Sequence, residues 1–125
     1  MTRLAHARIE RAIREAERGT TGHVVVRIVP DREVDAFKRA KDEFERAGLH
    51  GKEEHDVALI LVAPNTHAYA VLGDRGLHER VGDVFWKNVV EEMRPSLARG
   101  RGADAIVLAV ERIGAVLRKE FPAPR

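Results

Sequence analysis

The feature that most constrains the fold of this chain is an uninterrupted apolar run at residues 57–62, near the middle of its 125 residues. A strand with one face in water alternates apolar and polar side chains, so a run without alternation is typical of a strand covered on both faces. A second apolar segment rich in valine, residues 23–29, ends at Pro30 and predicts another buried strand. The rest of the chain therefore has to supply helices for both faces of a sheet.

Four further segments carry apolar residues at helical spacing and predict four amphipathic helices. Their apolar stripes are Ile9, Ala12, Ile13 and Ala16; Phe37, Ala40, Phe44 and Ala47; Val81, Val84, Phe85, Val89 and Met93; and Ile106, Val110, Ile113, Leu117 and Phe121. Trp86 adjoins the third stripe, where we expect it to pack in the core. Residues 67–72 predict a third strand, which a tight turn at residues 64–66 joins to the second.

The predicted order of elements is helix, strand, helix, strand, strand, helix, helix. The first two strands enclose a helix, so they should be parallel with a right-handed crossover, and the third should pair antiparallel through the turn. We predict an α/β fold in one domain, residues 1–125 with a core over residues 4–121. A small mixed sheet would form the middle layer of a three-layer αβα sandwich, covered by helices on both faces.

Composition excludes several classes of protein. The net charge is only +2, from 22 basic and 20 acidic residues, and no basic run is interleaved with aromatics, so we expect no nucleic-acid partner. The absence of cysteine excludes disulfides and zinc sites built on cysteine. We see neither a signal-like N-terminal run nor an apolar run near the ~20 residues of a membrane helix. The expectation is a soluble, cytoplasmic protein without a membrane segment.

The hairpin geometry brings acidic residues to one edge of the sheet. If the turn centres on Asn65, then Asp56 lies opposite Asp74. The third helix starts at the same edge, where Glu79 and Asp83 are spaced i,i+4 on one face. Neighbouring carboxylates repel unless a cation lies between them, and carboxylate oxygens are the ligands of calcium and magnesium. The sequence therefore predicts a metal site of these four carboxylates.

The same residues also have a purely structural interpretation. Asp74 stands where an N-terminal helix cap belongs, and the helix dipole favours an acid there. Arg75 and Arg80 are available to neutralise the carboxylates, and Glu79 and Asp83 would then simply face water. The sequence leaves both interpretations open.

Two histidines lie near the predicted acidic edge. His55 directly precedes Asp56, and His78 follows Asp74 by one helical turn. Histidine is a common acid–base group and metal ligand. Surface histidines are also common, and the chain has no HExxH spacing, so we favour an ordinary surface role for both.

The ordered set of segments resembles the TPM domain family over most of the chain, from about residue 9 to residue 122. The segments that carry the resemblance are Ile13-x-x-Ala16-Glu17, Thr20-Thr21-Gly22, the apolar strands, Val71-Leu72-Gly73-Asp74-Arg75-Gly76, the helix with Trp86, Arg99-Gly100, and Phe121-Pro122. The resemblance implies a small αβα sandwich. Family members are reported as acid phosphatases, as binders of divalent ions, chiefly calcium, or as non-catalytic modules. The family often has Asn-Gly before the second strand, where this chain has Asp56-Val57 and so keeps an oxygen ligand.

Three functions are compatible with this sequence. The first is a module that binds calcium or magnesium at the acidic cluster, with a protein partner of unknown identity. The second is a metal-assisted phosphatase, in which His55 or His78 acts as acid or base and Arg75 steadies the phosphate. The third is an interaction domain without a ligand. No nucleophile motif supports the second.

Overall fold

The computed structural model describes residues 2–29, 35–48, 56–63 and 68–124. The described helices are α1 (Arg3–Glu17), α2 (Ala36–Arg46), α3 (Arg75–Ala98) and α4 (Gly102–Glu120), and the strands are β1 (His23–Ile28), β2 (Val57–Ala63) and β3 (Ala68–Gly73). The predicted order of elements is confirmed. The predicted turn at residues 64–66 and His55 lie outside the described residues. Among the described helices, none combines the length and the apolar character that crossing a bilayer requires.

The sheet has the order β1–β2–β3, with β2 in the centre. β1 runs parallel to β2, with Val24 opposite Ala58, and β3 runs antiparallel to it, with Val71 opposite Ile60. The predicted mixed sheet is confirmed. Because β2 is paired on both sides and covered on both faces, every one of its residues is buried, as the continuous apolar run requires.

Successive side chains of β2 enter two different cores. Ile60 packs in a cluster that draws its other members mainly from α1, α3 and α4, whereas Leu59 packs with Ala40 and Phe44 of α2. This division follows from the two-residue period of a strand. The sheet therefore has α2 on one face and the other three helices on the opposite face, which confirms the three-layer arrangement.

The predicted hairpin register is wrong by one residue. Ala58 lies opposite Gly73, and the backbone N–H of Asp74 donates to the carbonyl of Val57 at 2.8 Å. Asp56 is therefore offset from Asp74 by one position along the ladder. A turn centred on Asn65 was the assumption behind the prediction, but the apolar side chains that must share a face decide the register of a buried strand.

α3 is not a continuous helix. Gly82 has φ 77° and ψ 171°, which interrupts the helix between two helical segments. This left-handed backbone region is readily accessible only to glycine. The prediction that Glu79 and Asp83 share one helical face at i,i+4 spacing is therefore wrong, because the interruption lies between them.

Candidate functional site

Two buried carboxylates lie at one end of the sheet. Asp56 immediately precedes β2 and Asp74 immediately follows β3, and because these strands are antiparallel, both residues are at the same end. Each is 2% exposed, and among the described residues they are the charged side chains that are buried. Burying a carboxylate is unfavourable unless hydrogen bonds or a cation stabilise it. We call Asp56, Asp74 and the neighbouring Thr21 the acidic end of the sheet.

Asp56 is tied to the turn that precedes β1. Its Oδ2 accepts a hydrogen bond from Thr21 Oγ1 at 2.7 Å, and its carbonyl accepts one from the N–H of His23 at 3.2 Å. In the described part of the chain, no basic side chain lies within ion-pair distance of the Asp56 carboxylate. The described residues therefore give this buried carboxylate a hydrogen-bond donor but no counter-charge.

Asp74 is the N-terminal cap of α3. Its Oδ1 accepts a hydrogen bond from the N–H of Arg75 at 2.8 Å, and its carbonyl accepts the N–H of His78 at 2.8 Å. Side-chain caps of this kind satisfy backbone donors that have no partner within the helix. The structural interpretation of Asp74 as a cap is thus confirmed.

The structure does not gather the four predicted carboxylates into one cluster. Glu79 is exposed, and Asp83 Oδ1 lies 3.3 Å from His78 Nε2. Arg80 Nη1 pairs with Glu120 Oε2 at 3.6 Å, so this arginine lies with the end of α4. Across the described ranges, no three histidine or acidic side chains lie close enough together to hold a metal ion. The acidic end is left with Asp56 and Asp74.

His78 is held by residues of its own helix. Its Nδ1 accepts a hydrogen bond from Trp86 Nε1 at 3.0 Å, while its Nε2 faces Asp83. The interruption of the helix at Gly82 lies between His78 and both of these residues. Both ring nitrogens of His78 therefore have partners within α3. Arg75 is exposed and contributes its backbone N–H to the cap.

A second feature, which the sequence did not suggest, is a groove of about 720 Å³ between α2, β3 and α3. We call it the β3 groove; its lining includes Phe37, Lys41, Tyr69, Trp86 and Lys87. The two helices are far apart in the chain, and only the strand order places β3 between them. The signal available in the sequence was the complete absence of charge from residues 68–73.

Solved structures share this fold. The NMR structure of the BA42 protein from the psychrophilic bacterium Bizionia argentinensis is 29% identical and superposes with a TM-score of 0.89, covering 100% of this chain and 86% of that one. The N-terminal domain of the cg2496 protein from Corynebacterium glutamicum (14% identity, TM-score 0.75) is matched over 99% of this chain and 78% of its own. A P. gingivalis N-terminal domain (12% identity, TM-score 0.81) is matched over 100% and 82%. The last two show likeness of fold alone.

No curated protein matches the sequence. The family model of the TPM domain, in contrast, matches residues 1–116, which is nearly the whole chain. That match covers all three strands and every part of the acidic end. The chain belongs to the TPM domain family.

Proposed function

We propose that this TPM domain binds a divalent cation, calcium or magnesium, at the acidic end of the sheet. The observation that carries the proposal is Asp56, a buried carboxylate that has a hydroxyl donor and no counter-charge among the described residues. A bound cation would offset the desolvation of this charge. His78 is held by Trp86 and Asp83, so cation binding has better support than phosphoryl transfer.

The donor set has the chemistry of a hard-cation site. Asp56 and Asp74 would supply carboxylate oxygens. Thr21 Oγ1 donates a hydrogen bond to Asp56, and its lone pairs are still able to bind a cation. Magnesium is commonly held by one or two carboxylates with water completing the shell, whereas calcium takes six to eight oxygens. The one-residue offset puts Asp56 and Asp74 at positions whose side chains alternate between the two faces of the sheet, so they are not a directly facing pair. We therefore assign the principal role to Asp56 and the second to Asp74.

Thermal melting of chelator-treated protein tests this proposal. We expect calcium or magnesium, at about 100 times its dissociation constant, to raise the stability of the wild type by about 2.7 kcal/mol, a shift of several degrees. Asp56→Asn should lose this shift. In chelator, the same variant should melt at or above the wild-type temperature, because the amide still accepts the Thr21 hydrogen bond and the buried charge is gone.

Asp42→Asn is the matched control, since Asp42 is an exposed acid of α2, and it should keep the full shift. The proposal fails if neither ion stabilises the wild type, or if Asp56→Asn is stabilised as much as the wild type. If Asp56→Asn melted below the wild type in chelator, the negative charge of Asp56 would itself stabilise the fold without a cation, which contradicts the proposal.

Two substitutions separate the roles of Asp74. Asp74→Ala removes cap and carboxylate together and should lower the free energy of unfolding by about 1 kcal/mol. Asp74→Ser keeps a cap and should remain close to the wild type in chelator. Both should weaken ion binding measured by titration calorimetry. Equal loss of stability in the two variants would contradict the cap, and unchanged affinity would remove Asp74 from the cation site.

A further inference from the structure

β3 is an end strand of the described sheet, and alternate backbone groups along it face away from β2. The N–H of Asp74 donates to the carbonyl of Val57. In an antiparallel ladder every second residue bonds to the neighbouring strand, so in β3 the residues that bond to β2 are those an even number of positions before Asp74. The N–H and C=O groups of Tyr69, Val71 and Gly73 therefore point to the other side. Among the described residues, no strand pairs with this side of β3.

This strand lacks the features that natural proteins use to protect an end strand. Its sequence, AYAVLG, has no charged residue and no proline. Charged residues and proline on an edge strand discourage pairing with another chain. The opposite end strand, β1, does carry a charge, at Arg27. β3 is thus the strand of this sheet that is suited to accept another one.

The β3 groove gives an incoming strand room and apolar contacts. α2 forms one wall with Phe37, and α3 forms the other with Trp86 and Val90. Phe37 is 59% exposed, which leaves a large aromatic surface at the rim of the groove. A strand of six residues spans about 20 Å, so β3 can pair with a segment of about that length.

The charges of the groove indicate the chemistry of its occupant. Two acids also line it: Glu91 forms an ion pair with Arg94 at 2.8 Å, and Asp83 lies 3.3 Å from His78 Nε2, a contact that is an ion pair only when the histidine is protonated. Lys41 and Lys87 also line the groove, and neither has an acidic partner among the described residues. The ammonium group of Lys41 lies 5.6 Å from the centre of the Phe37 ring. The groove therefore presents two lysine ammonium groups without acidic partners, among the described residues, beside an apolar surface.

We propose that the β3 groove binds an extended segment of a partner protein, apolar along its length and bearing carboxylates, which adds to β3 as a fourth strand. Backbone hydrogen bonds to Tyr69, Val71 and Gly73 would supply the pairing, and the two lysines would select acidic sequences. A second copy of this chain is a poorer occupant, because it would bring its own lysines against Lys41 and Lys87. Asp56, Asp74 and Thr21 do not line the groove, although Gly73, which does, directly precedes Asp74.

Selection from a display library of random eight-residue peptides tests the proposal directly. We expect enriched peptides to alternate apolar residues and to contain aspartate or glutamate. When a selected peptide is added, hydrogen exchange measured by NMR should slow at the amides of Tyr69, Val71 and Gly73, and N-methylation of alternate peptide residues should abolish binding. Failure to enrich any peptide, or binding without protection of these amides, would overturn the proposal.

Charge reversal tests the selectivity. Lys41→Glu combined with Lys87→Glu should weaken a selected peptide about tenfold, because two favourable pairs become repulsive. Lys38→Glu, an exposed lysine of α2 outside the groove, should leave affinity unchanged. Equal affinity for the double variant would contradict the acidic partner. Dimers in sedimentation, with protection of the same amides that rises with protein concentration, would make a second copy the occupant instead.

Discussion

Trp86→Ala is expected to lower the free energy of unfolding by about 3–5 kcal/mol, the range for a buried tryptophan replaced by alanine. Trp86 is 7% exposed and packs edge to face with Phe85, with ring centroids 5.0 Å apart. Its Nε1 also donates to His78 Nδ1 at 3.0 Å. The substitution therefore opens a cavity and removes the hydrogen-bond donor of His78 at the same time.

Urea denaturation in chelator measures this loss, and Val84→Ala provides the control. Val84 is on the same helix but is 67% exposed, so its truncation should change stability by no more than about 0.5 kcal/mol. A loss below about 1 kcal/mol in Trp86→Ala would mean that the indole is not part of the core. Circular dichroism at low urea establishes that each variant starts from the folded state.

A mutant cycle with Gly73 tests the packing behind this prediction. A Cβ atom added to Gly73 would lie 2.4 Å from Trp86 Cζ2, so Gly73→Ala should destabilise the wild type by about 1–3 kcal/mol. Trp86→Phe removes the ring atoms that the added Cβ would contact, so in that background Gly73→Ala should lower the free energy of unfolding by less. Additive losses would contradict the contact, because independent sites add.

The continuous apolar run at residues 57–62 made burial on both faces of β2 predictable, since no other common environment accepts such a strand. The order of elements followed from it and from the helical stripes. Trp86 was correctly placed in the core, because it adjoins one of those stripes. These successes concern local periodicity, which a single sequence displays directly.

Interactions across the chain were harder to predict. Asp56 was grouped with Glu79 and Asp83, but the structure pairs it with Thr21, 35 residues earlier in the chain. The positive φ of Gly82 could not be predicted from its residue type, because glycine also occurs within helices, where it lowers stability by about 1 kcal/mol relative to alanine. The β3 groove was not predicted, because its position depends on which strand lies at the edge of the sheet. The expectation that no nucleic acid binds stays a prediction.

Leu117→Ala is expected to lower the free energy of unfolding by about 2–5 kcal/mol and also to weaken the response to divalent ions. Leu117 is fully buried, and its Cδ2 lies 2.5 Å from the position that a Cβ on Gly22 would take. The leucine therefore packs directly under the turn that carries Thr21. A cavity there should loosen the Thr21 hydrogen bond to Asp56.

The matched control is Leu4→Ala, because Leu4 is exposed on α1 and its truncation should change stability by no more than about 0.5 kcal/mol. Urea denaturation with and without magnesium separates the two expected effects. A Leu117→Ala variant that is destabilised but keeps the full ion-induced gain would show that the core under the turn does not position Asp56.

The glycine beside Leu117 makes the argument more specific. Gly22→Ala should destabilise the wild type, since its Cβ would meet both Leu117 and the Asp56 carbonyl oxygen, the latter at 2.9 Å. In the Leu117→Ala background one of these two contacts is gone, so the loss should shrink without disappearing. Complete rescue would show that the clash with Leu117 alone prevents a larger residue at position 22. No rescue would show that the Asp56 backbone prevents it, and the conformation of the turn would then be fixed by its contact with Asp56.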